Sequence, residues 1–304
     1  MTVKVNLDTV IVPVVFLAVT LVAGNNLSAC VGPIVGARIL TRQTAGLLAM
    51  VGFTTGLLLQ GSGMTHTVAL LLPDATAQLE TEALLVAIAI FIIAYMVRVP
   101  VSFSMSIVGF LAGLSVTRGI TTDLAFMAEV VVMWVVAPAI AALLAFYLTP
   151  VIYRRKTKDI WKRIRFYKGL LIVLSFTTAY VSGANTLSLI VATGGFQAAT
   201  LIAGIIGIIV GSLFLGEGVI RRISQESYMM RYSNAVNTLA VSTVLVEIAA
   251  ILHLPLSATQ TTSASVFGTG LSYKTKLMSL KPFLTIVLGW IIAPLLSFTI
   301  GLLL

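Results

Sequence analysis

The sequence predicts an all-α polytopic membrane protein of two inverted repeats, with about five helical segments in each repeat and broken or re-entrant helices at the membrane midplane. Three observations predict this fold class. The composition is too apolar for a soluble protein, four short motifs recur in the same order in both halves of the chain, and equivalent loops of the two halves differ in charge.

The composition excludes a soluble domain. Of the 304 residues, 59% are hydrophobic and 10% are charged, whereas soluble domains have roughly 25% charged and 45–50% apolar residues. Since a helical crossing needs ~20 apolar residues, the chain has room for at most about a dozen spans and for almost no extramembrane domain. The apolar runs are continuous and much longer than the strands of a membrane barrel, so the spans are predicted to be helices.

Several other classes of site are excluded by the residue inventory. The single cysteine, Cys30, excludes an intramolecular disulfide framework, and His66 and His253 share no metal-ligand spacing. The only charged side chains before the apolar run at 10–23 are Lys4 and Asp8, which is not the basic region of a signal peptide. The run is therefore interpreted as the first span. We therefore predict no cofactor and no metal site.

The net charge of +9 is concentrated in one stretch. Eight of the 19 Lys and Arg residues lie between 153 and 168. In a membrane protein this pattern is typical of a cytoplasmic loop that obeys the positive-inside rule and lies close to anionic lipid. The charge therefore indicates membrane lipid, and not nucleic acid, as the partner.

The two halves of the chain repeat each other at a separation of about 155 residues. The matches are AGNNLS at 23–28 with GANTLS at 183–188, GFTTGLLLQGSG at 52–63 with GIIVGSLFLGEG at 207–218, PVSFS at 100–104 with PLSAT at 255–259, and MWVVAP at 133–138 with GWIIAP at 289–294. The chain is accordingly divided into a first repeat at 1–150, a basic cytoplasmic loop at 151–168 and a second repeat at 169–304.

Each repeat is predicted to contain five apolar segments, the first of them interrupted near its Asn motif. The segments are 10–41, 43–60, 82–98, 100–117 and 124–150 in the first repeat, and 169–196, 198–216, 234–252, 255–272 and 282–304 in the second. An odd number of crossings turns the second repeat upside down relative to the first, which is the inverted topology of many transporters.

The charges of equivalent loops provide an independent test of this inversion. The loop at 64–82 is acidic, with Asp74, Glu80 and Glu82, whereas its counterpart after Gly218 is basic, with Arg221, Arg222 and Arg231. Equivalent loops of opposite charge belong on opposite sides of the membrane. The simplest threading places the 153–168 loop in the cytoplasm and both termini outside.

Two pairs of motifs are predicted to break helices and to form a binding site at the midplane. Gly in the Asn motifs permits unwinding, while Asn, Ser and Thr are typical helix N-cap residues. Proline starts a new helix in PVSFS and PLSAT. Four helix N-termini, two from each repeat, would then converge, and such termini bind anions through free N–H groups.

The uncharged polar residues of these motifs are the predicted anion ligands. They are Asn25, Asn26, Ser28, Ser102, Ser104, Asn185, Thr186, Ser188, Ser257, Thr259 and Gln260. The alternative is that Ser and Thr only bond their own backbone or a neighbouring helix. Glu247, in an otherwise apolar span, is a candidate for proton or cation coupling or, alternatively, a side chain that reaches the outer surface near His253.

The glycine pairs of the second span are interpreted as packing surfaces. Gly52 with Gly56, and Gly207 with Gly211, each form a GxxxG motif. Such motifs let two membrane helices approach closely, because glycine has no side chain at the contact. We therefore assign them no role in binding.

These motifs resemble the PiT family of inorganic phosphate transporters over nearly the whole chain. That family has a G-A-N-D-V-A-N and a P-x-S-T-T-H signature in each half. Residues 23–41 and 183–189 look like the first signature, while PVSFSM at 100–105 and PLSATQ at 255–260 occupy the places of the second. The resemblance implies alternating-access transport of phosphate, no enzymatic activity, and a homodimer.

Departures from the signatures bear on substrate and coupling ion. Asn26 and Thr186 stand where the family has Asp, and Met105 and Gln260 stand where it has His. Neutral oxygens are weaker ligands for a hard cation than carboxylates, so H⁺ is favoured over Na⁺ as the coupling ion. A site without carboxylates also loses a reason to prefer phosphate, so sulfate permease is the main alternative, followed by a passive anion channel and an intramembrane hydrolase.

Overall fold

A computed structural model shows an all-helical chain. It describes residues 7–73, 76–96, 101–118, 123–153, 159–215, 231–274 and 280–304, and no strand occurs among them. The helices are α1 (Leu7–Gly36), α2 (Arg42–Leu59), α3 (Met64–Leu71), α4 (Ala77–Met96), α5 (Phe103–Arg118), α6 (Leu124–Tyr153), α7 (Ile160–Ser182), α8 (Ser188–Thr193), α9 (Ala198–Val210), α10 (Tyr232–Ile251), α11 (Ala258–Lys274) and α12 (Leu280–Leu303).

Most of these helices are long and apolar enough to cross a membrane. Within the described residues there are seven such spans, or eight if α2 and the helical stretch that follows it, bent by 54° relative to each other, form one span. The helix α5 is apolar but shorter than these spans. The protein is therefore a multi-pass membrane protein, as the composition predicts.

The second helix of each half packs on the first helix of the other half. A Cβ built on Gly52 of α2 would lie 2.8 Å from the carbonyl oxygen of Phe176 on α7, and one built on Gly207 of α9 would lie 2.9 Å from that of Phe16 on α1. A side chain at these points would push the helices apart. The prediction that both GxxxG motifs are packing surfaces is thus confirmed.

The helix that follows each Pro-x-Ser motif also packs on a helix of the other half. Helix α5 packs on α12, where Gly113 faces the carbonyl oxygen of Phe298. Helix α11 packs on α6, where Gly268 faces the carbonyl oxygen of Ala142. Because these contacts are reciprocal, each half depends on the other for its core, and one cluster of buried apolar side chains includes residues of both halves.

The predicted break at the Asn motifs is wrong. Helix α1 runs through Asn25 and Asn26 without interruption, and the second motif forms a π-helical turn, Gly183–Leu187, that joins α7 to α8. Asn costs a helix less than about 1 kcal/mol, whereas a break at membrane depth leaves several backbone groups to be satisfied. Only two helix N-termini, those of α5 and α11, therefore lie at the predicted motifs instead of four.

Two segments predicted as loops are largely helical. Helix α6 extends to Tyr153 and α7 begins at Ile160, so most of the basic stretch 151–168 is helix, while residues 154–158 lie outside the described residues. Asp159 caps α7 by accepting hydrogen bonds from the backbone N–H groups of Trp161 and Lys162. The acidic loop at 64–82 likewise contains α3 and the first turn of α4.

Candidate functional site

Both Pro-x-Ser segments lead directly into a helix. Ser102 precedes α5 and Ser257 precedes α11, and the carbonyl oxygen of each accepts the first backbone hydrogen bonds of its helix. These serines therefore occupy the N-cap position. The proline of the second segment, Pro255, lies in the described residues, whereas Pro100 of the first lies outside them.

Each N-cap serine forms a hydroxyl pair with the residue two positions later. Ser102 Oγ lies 3.0 Å from Ser104 Oγ, and Ser257 Oγ lies 2.8 Å from Thr259 Oγ1. All four side chains are buried. A pair of hydroxyls has two O–H donors but uses only one within the pair. Each segment can thus offer a hydroxyl proton to a ligand in addition to the N–H groups of its first helical turn.

Asn185 holds the second Pro-x-Ser segment in place. Its Nδ2 donates to the carbonyl oxygen of Leu254 at 2.8 Å, and its Oδ1 accepts from the backbone N–H of Leu256 at 3.1 Å. Thr186 Oγ1 lies 3.5 Å from the carbonyl oxygen of Leu256. An extended segment at membrane depth needs such partners because its own backbone cannot satisfy itself. The second Asn motif therefore positions the backbone that precedes α11.

The first Asn motif connects the two halves. Asn26 on α1 is buried, and its Nδ2 donates to Ser182 Oγ on α7 at 3.0 Å. Ser28 donates to the carbonyl oxygen of Asn25 at 2.8 Å, and Ser188 donates to that of Gly183 at 2.7 Å. Ser28 and Ser188 are thus bonded to their own helices, as the packing alternative predicts.

Gln260 and Trp134 form a second connection between the halves, which the sequence did not reveal. The indole Nε1 of Trp134 on α6 donates to the carbonyl oxygen of Pro255 at 3.0 Å, and Gln260 Nε2 donates to the carbonyl oxygen of Trp134 at 3.0 Å. Gln260 Oε1 is buried without a hydrogen-bond partner among the described residues. The only signal for Trp134 was its position in the repeated MWVVAP motif.

The structure brings part of the predicted site together. Asn185, Thr186 and the second Pro-x-Ser segment form one hydrogen-bonded group, and α1 contacts both α11 and the π-helical turn at Gly183–Leu187. In the described part of the chain, the side-chain hydrogen bonds of Ser102 and Ser104 stay within their own segment. Asn25 is half-buried, and residues 97–100, which include the proline of the first Pro-x-Ser segment, lie outside the described ranges.

Glu247 lies in a polar group near the end of α10. Its Oε1 accepts a hydrogen bond from Gln60 Nε2 at 3.3 Å, while its Oε2 is buried without a hydrogen-bond partner among the described residues. His253 follows α10, and its ring lies 5.7 Å from that of His66 on α3. This histidine pair was not predicted, because the two residues lie far apart in the sequence.

The arrangement favours a small anion held by neutral groups. The two helix starts provide hydroxyl and backbone N–H donors, and a helix N-terminus carries roughly half a positive charge. No Lys, Arg, Asp or Glu occurs in the motifs themselves. Hydroxyl and N–H donors at a buried helix start can stabilise negative charge without a fixed cation, and they suit the oxygens of a tetrahedral anion.

Comparison with known proteins gives one family. The model of the phosphate transporter family matches residues 22–192 and 154–301. A protein of Methanocaldococcus jannaschii, provisionally named a phosphate permease, is 24% identical over 299 residues, which is 98% of this chain and 96% of that protein. A Bacillus subtilis protein, provisionally named a low-affinity inorganic phosphate transporter, is 25% identical over 72% of this chain and 71% of its own length.

A solved structure shares the fold. It is the structure of a sodium-dependent phosphate transporter, with a TM-score of 0.86 and 18% sequence identity over 97% of each chain. At this identity the similarity establishes the arrangement of helices. This structure agrees with the all-helical membrane fold that the sequence predicts.

Proposed function

Since the chain belongs to the phosphate transporter family, whose members are membrane transporters and not enzymes, we propose that it carries inorganic phosphate across the membrane by alternating access. One observation carries this proposal: two buried Pro-x-Ser segments, one in each half, present equivalent hydroxyl pairs at the start of a helix. Repeats of this kind form a site between two halves that can open to either side in turn.

Sulfate is the second candidate substrate, because the chemistry of two residues removes a reason to prefer phosphate. Asn26 and Thr186 replace the aspartates of the family signature, and both are buried. Phosphate near neutral pH still carries a proton that a carboxylate can accept, whereas sulfate carries none. The neutral site therefore has no carboxylate that could distinguish phosphate from sulfate by the proton that phosphate carries.

Uptake into proteoliposomes tests the function. We expect labelled phosphate to accumulate, with saturation and with turnover far below the conductance of a channel. Labelled sulfate is measured in parallel. Conductance at channel rates would contradict alternating access, and accumulation of sulfate alone would replace phosphate by sulfate as the substrate. Empty liposomes provide the control.

We expect the transport to depend weakly or not at all on sodium, with a proton gradient as the driving force. Neutral Asn and Thr oxygens are poorer sodium ligands than carboxylates, and Glu247 is the intramembrane carboxylate that can take up a proton. Replacing external sodium by potassium at fixed pH should change uptake less than about twofold. A steep rise of uptake with sodium would refute this expectation. Glu247→Gln should weaken the response of uptake to the proton gradient, and an unchanged response would show that the carboxylate is not involved.

Asn26→Asp should shift selectivity toward phosphate. The new carboxylate can accept the phosphate proton but only repels sulfate, and like charges in contact cost several kcal/mol. Asn26→Ala is the matched control, because it removes the amide without adding charge. It should weaken the binding of both anions to the same extent. The measurement is competition of each anion against labelled substrate. A shift of Asn26→Asp toward sulfate would contradict this placement of the site.

The inverted topology remains part of the proposal. The reciprocal glycine contacts of α2 with α7 and of α9 with α1 support two equivalent halves. We expect single cysteines at Thr157 and at the N-terminus to be labelled from opposite sides of the membrane, with Thr157 on the cytoplasmic side. Labelling of both from one side would exclude the threading.

The last helix of each half, α6 and α12, is the least buried of the spans. Exposed apolar side chains such as Val135 and Leu295 cover these two helices. They provide a surface for membrane lipid and for the homodimer that the family resemblance implies.

A further inference from the structure

A line of buried hydroxyl and amide side chains runs from the second Pro-x-Ser segment toward the start of α10. Its members lie on two neighbouring helices and are less than a tenth exposed. They are Ser242, Thr238, Asn237 and Asn234 on α10, and Thr261, Thr262, Ser265 and Thr269 on α11. We call this set the α10–α11 polar line. At 1.5 Å per residue, Thr269 lies about 12 Å along α11 from Thr261.

Hydrogen bonds join the two helices at two levels of the α10–α11 polar line. Ser242 Oγ lies 3.0 Å from Thr261 Oγ1 and 2.7 Å from Thr262 Oγ1. About two helical turns further along, Asn237 Nδ2 donates to Thr269 Oγ1 at 3.1 Å. The line begins one helical turn after the N-cap serine of the candidate site, where Thr261 Oγ1 donates to the carbonyl oxygen of Ser257 at 3.3 Å.

Three polar atoms in the line are buried without a partner among the described residues. They are Asn234 Nδ2, Asn237 Oδ1 and Ser265 Oγ, on side chains that are at most 2% exposed. Leaving such an atom unpaired costs about 1–3 kcal/mol. In native proteins, buried polar groups of this kind are normally bound by water or by a ligand. These three atoms are therefore available to bind water or a ligand within the line.

Six of the eight equivalent positions of the first half are apolar. In chain order, Ala87 and Ala83 stand for Ser242 and Thr238, while Phe110 and Leu114 stand for Ser265 and Thr269.

The two exceptions in the first half are Ser106, the counterpart of Thr261, and Glu82, the counterpart of Asn237, which forms an ion pair with Arg118 at 3.5 Å. The helices α4 and α5 contact each other as α10 and α11 do. Hydroxyl contacts between helices are therefore not required for this packing, which argues against a purely structural role for them.

We propose that the α10–α11 polar line is a hydrated path by which the anion moves between the candidate site and the side of the membrane where α10 begins. The inference rests on the proposed transport of phosphate or sulfate. Neutral hydroxyls and amides let an anion exchange its water ligands step by step without binding it tightly, which is what a conducting path requires. In the first half, Phe91 and Phe103 pack edge to face at 5.9 Å next to the hydroxyl pair, and no such path is formed there by the described residues.

Thiol accessibility tests the path. In a Cys30→Ala background, Ser265→Cys and the equivalent Phe110→Cys are compared, because both positions are fully buried. The probe is a negatively charged, membrane-impermeant thiosulfonate, and Arg231→Cys marks the side of the membrane on which α10 begins. We expect Ser265→Cys to react from that side, with uptake reduced about tenfold or more and with protection by excess inorganic phosphate. Phe110→Cys should not react. Equal lack of reaction at the two positions, or reaction only from the opposite side, would overturn the proposal.

A variant of nearly unchanged volume gives an independent measurement. Thr269→Val removes a hydroxyl from the path and leaves the candidate site intact. Uptake should fall about fivefold or more, while the affinity for phosphate in detergent changes less than twofold. A change in thermal stability alone would mean that the hydroxyls only pack. If the wild type transports neither anion, the proposed function fails, whereas reactivity of Ser265→Cys still reports the hydrated line.

Discussion

Ser257→Ala is expected to weaken anion binding roughly 5- to 150-fold, which corresponds to about 1–3 kcal/mol. The substitution removes the Ser257 hydroxyl from its pair with Thr259. The Thr259 hydroxyl then bonds elsewhere or stands alone, and the buried anion is left one donor short. Ser102→Ala removes the equivalent hydroxyl beside Ser104 and should have a similar effect. Displacement of labelled phosphate from the purified protein measures both affinities.

The alternative to this expectation is that the two serines only stabilise the helix starts. In that case both variants would bind the anion as the wild type does and would differ only in thermal stability. Ser115→Ala provides the control, because Ser115 lies near the far end of α5 and donates to the carbonyl oxygen of Ala112 in its own helix at 2.8 Å. Its affinity for phosphate should not change.

Asn185→Ala is expected to lower the free energy of unfolding by about 1–3 kcal/mol and to weaken anion binding about tenfold or more. Interhelical hydrogen bonds in membranes contribute only about 0.6 kcal/mol on average. Asn185 makes two, however, and both lead to backbone groups of the extended segment at 254–256 that have no helical partner. The segment should lose its fixed position, and Ser257 with it.

Thermal unfolding in detergent and phosphate affinity, measured on the same preparation, check this expectation. Asn185→Asp retains an acceptor for the N–H of Leu256 but loses the donor to Leu254 and adds a negative charge. The free energy of phosphate binding should therefore fall by more than the free energy of unfolding. Thr177→Ala on α7, the helix that leads into this turn, is the control, because Thr177 donates to the carbonyl oxygen of Val173 in its own helix at 3.0 Å. Unchanged binding by Asn185→Ala would show that the segment is held by its packing.

The positions of the spans could be predicted closely from the sequence. The segments expected at 82–98 and 234–252 are the helices Ala77–Met96 and Tyr232–Ile251. This agreement has a simple cause. A bilayer requires long apolar runs and internally satisfied backbone groups, so composition alone nearly determines where the helices lie. The positions of both GxxxG packing surfaces followed from the same reasoning.

The state of the backbone at the Asn motifs could not be predicted in this way. Gly24 with two asparagines was interpreted as a break, but α1 continues because its buried side chains, among them Leu27 and Val31, pack as a continuous helix. Local propensities of less than about 1 kcal/mol per residue are decided by such packing. The second motif differs only by its π-helical turn, in which Ser188 bonds the carbonyl oxygen of Gly183.

The sequence by itself determined that the chain is a membrane protein of two similar halves, and it identified the polar segments that could bind an anion. Only the tertiary structure decided which groups meet. The hydrogen bonds that decide this connect residues far apart in the chain or on different helices. They join Trp134 to Pro255, Gln60 to Glu247, and Asn237 to two neighbouring helices. The physical reason is that apolar periodicity and repeats specify what each helix buries, whereas the pairing of polar side chains depends on rotations and distances between helices that no local pattern encodes.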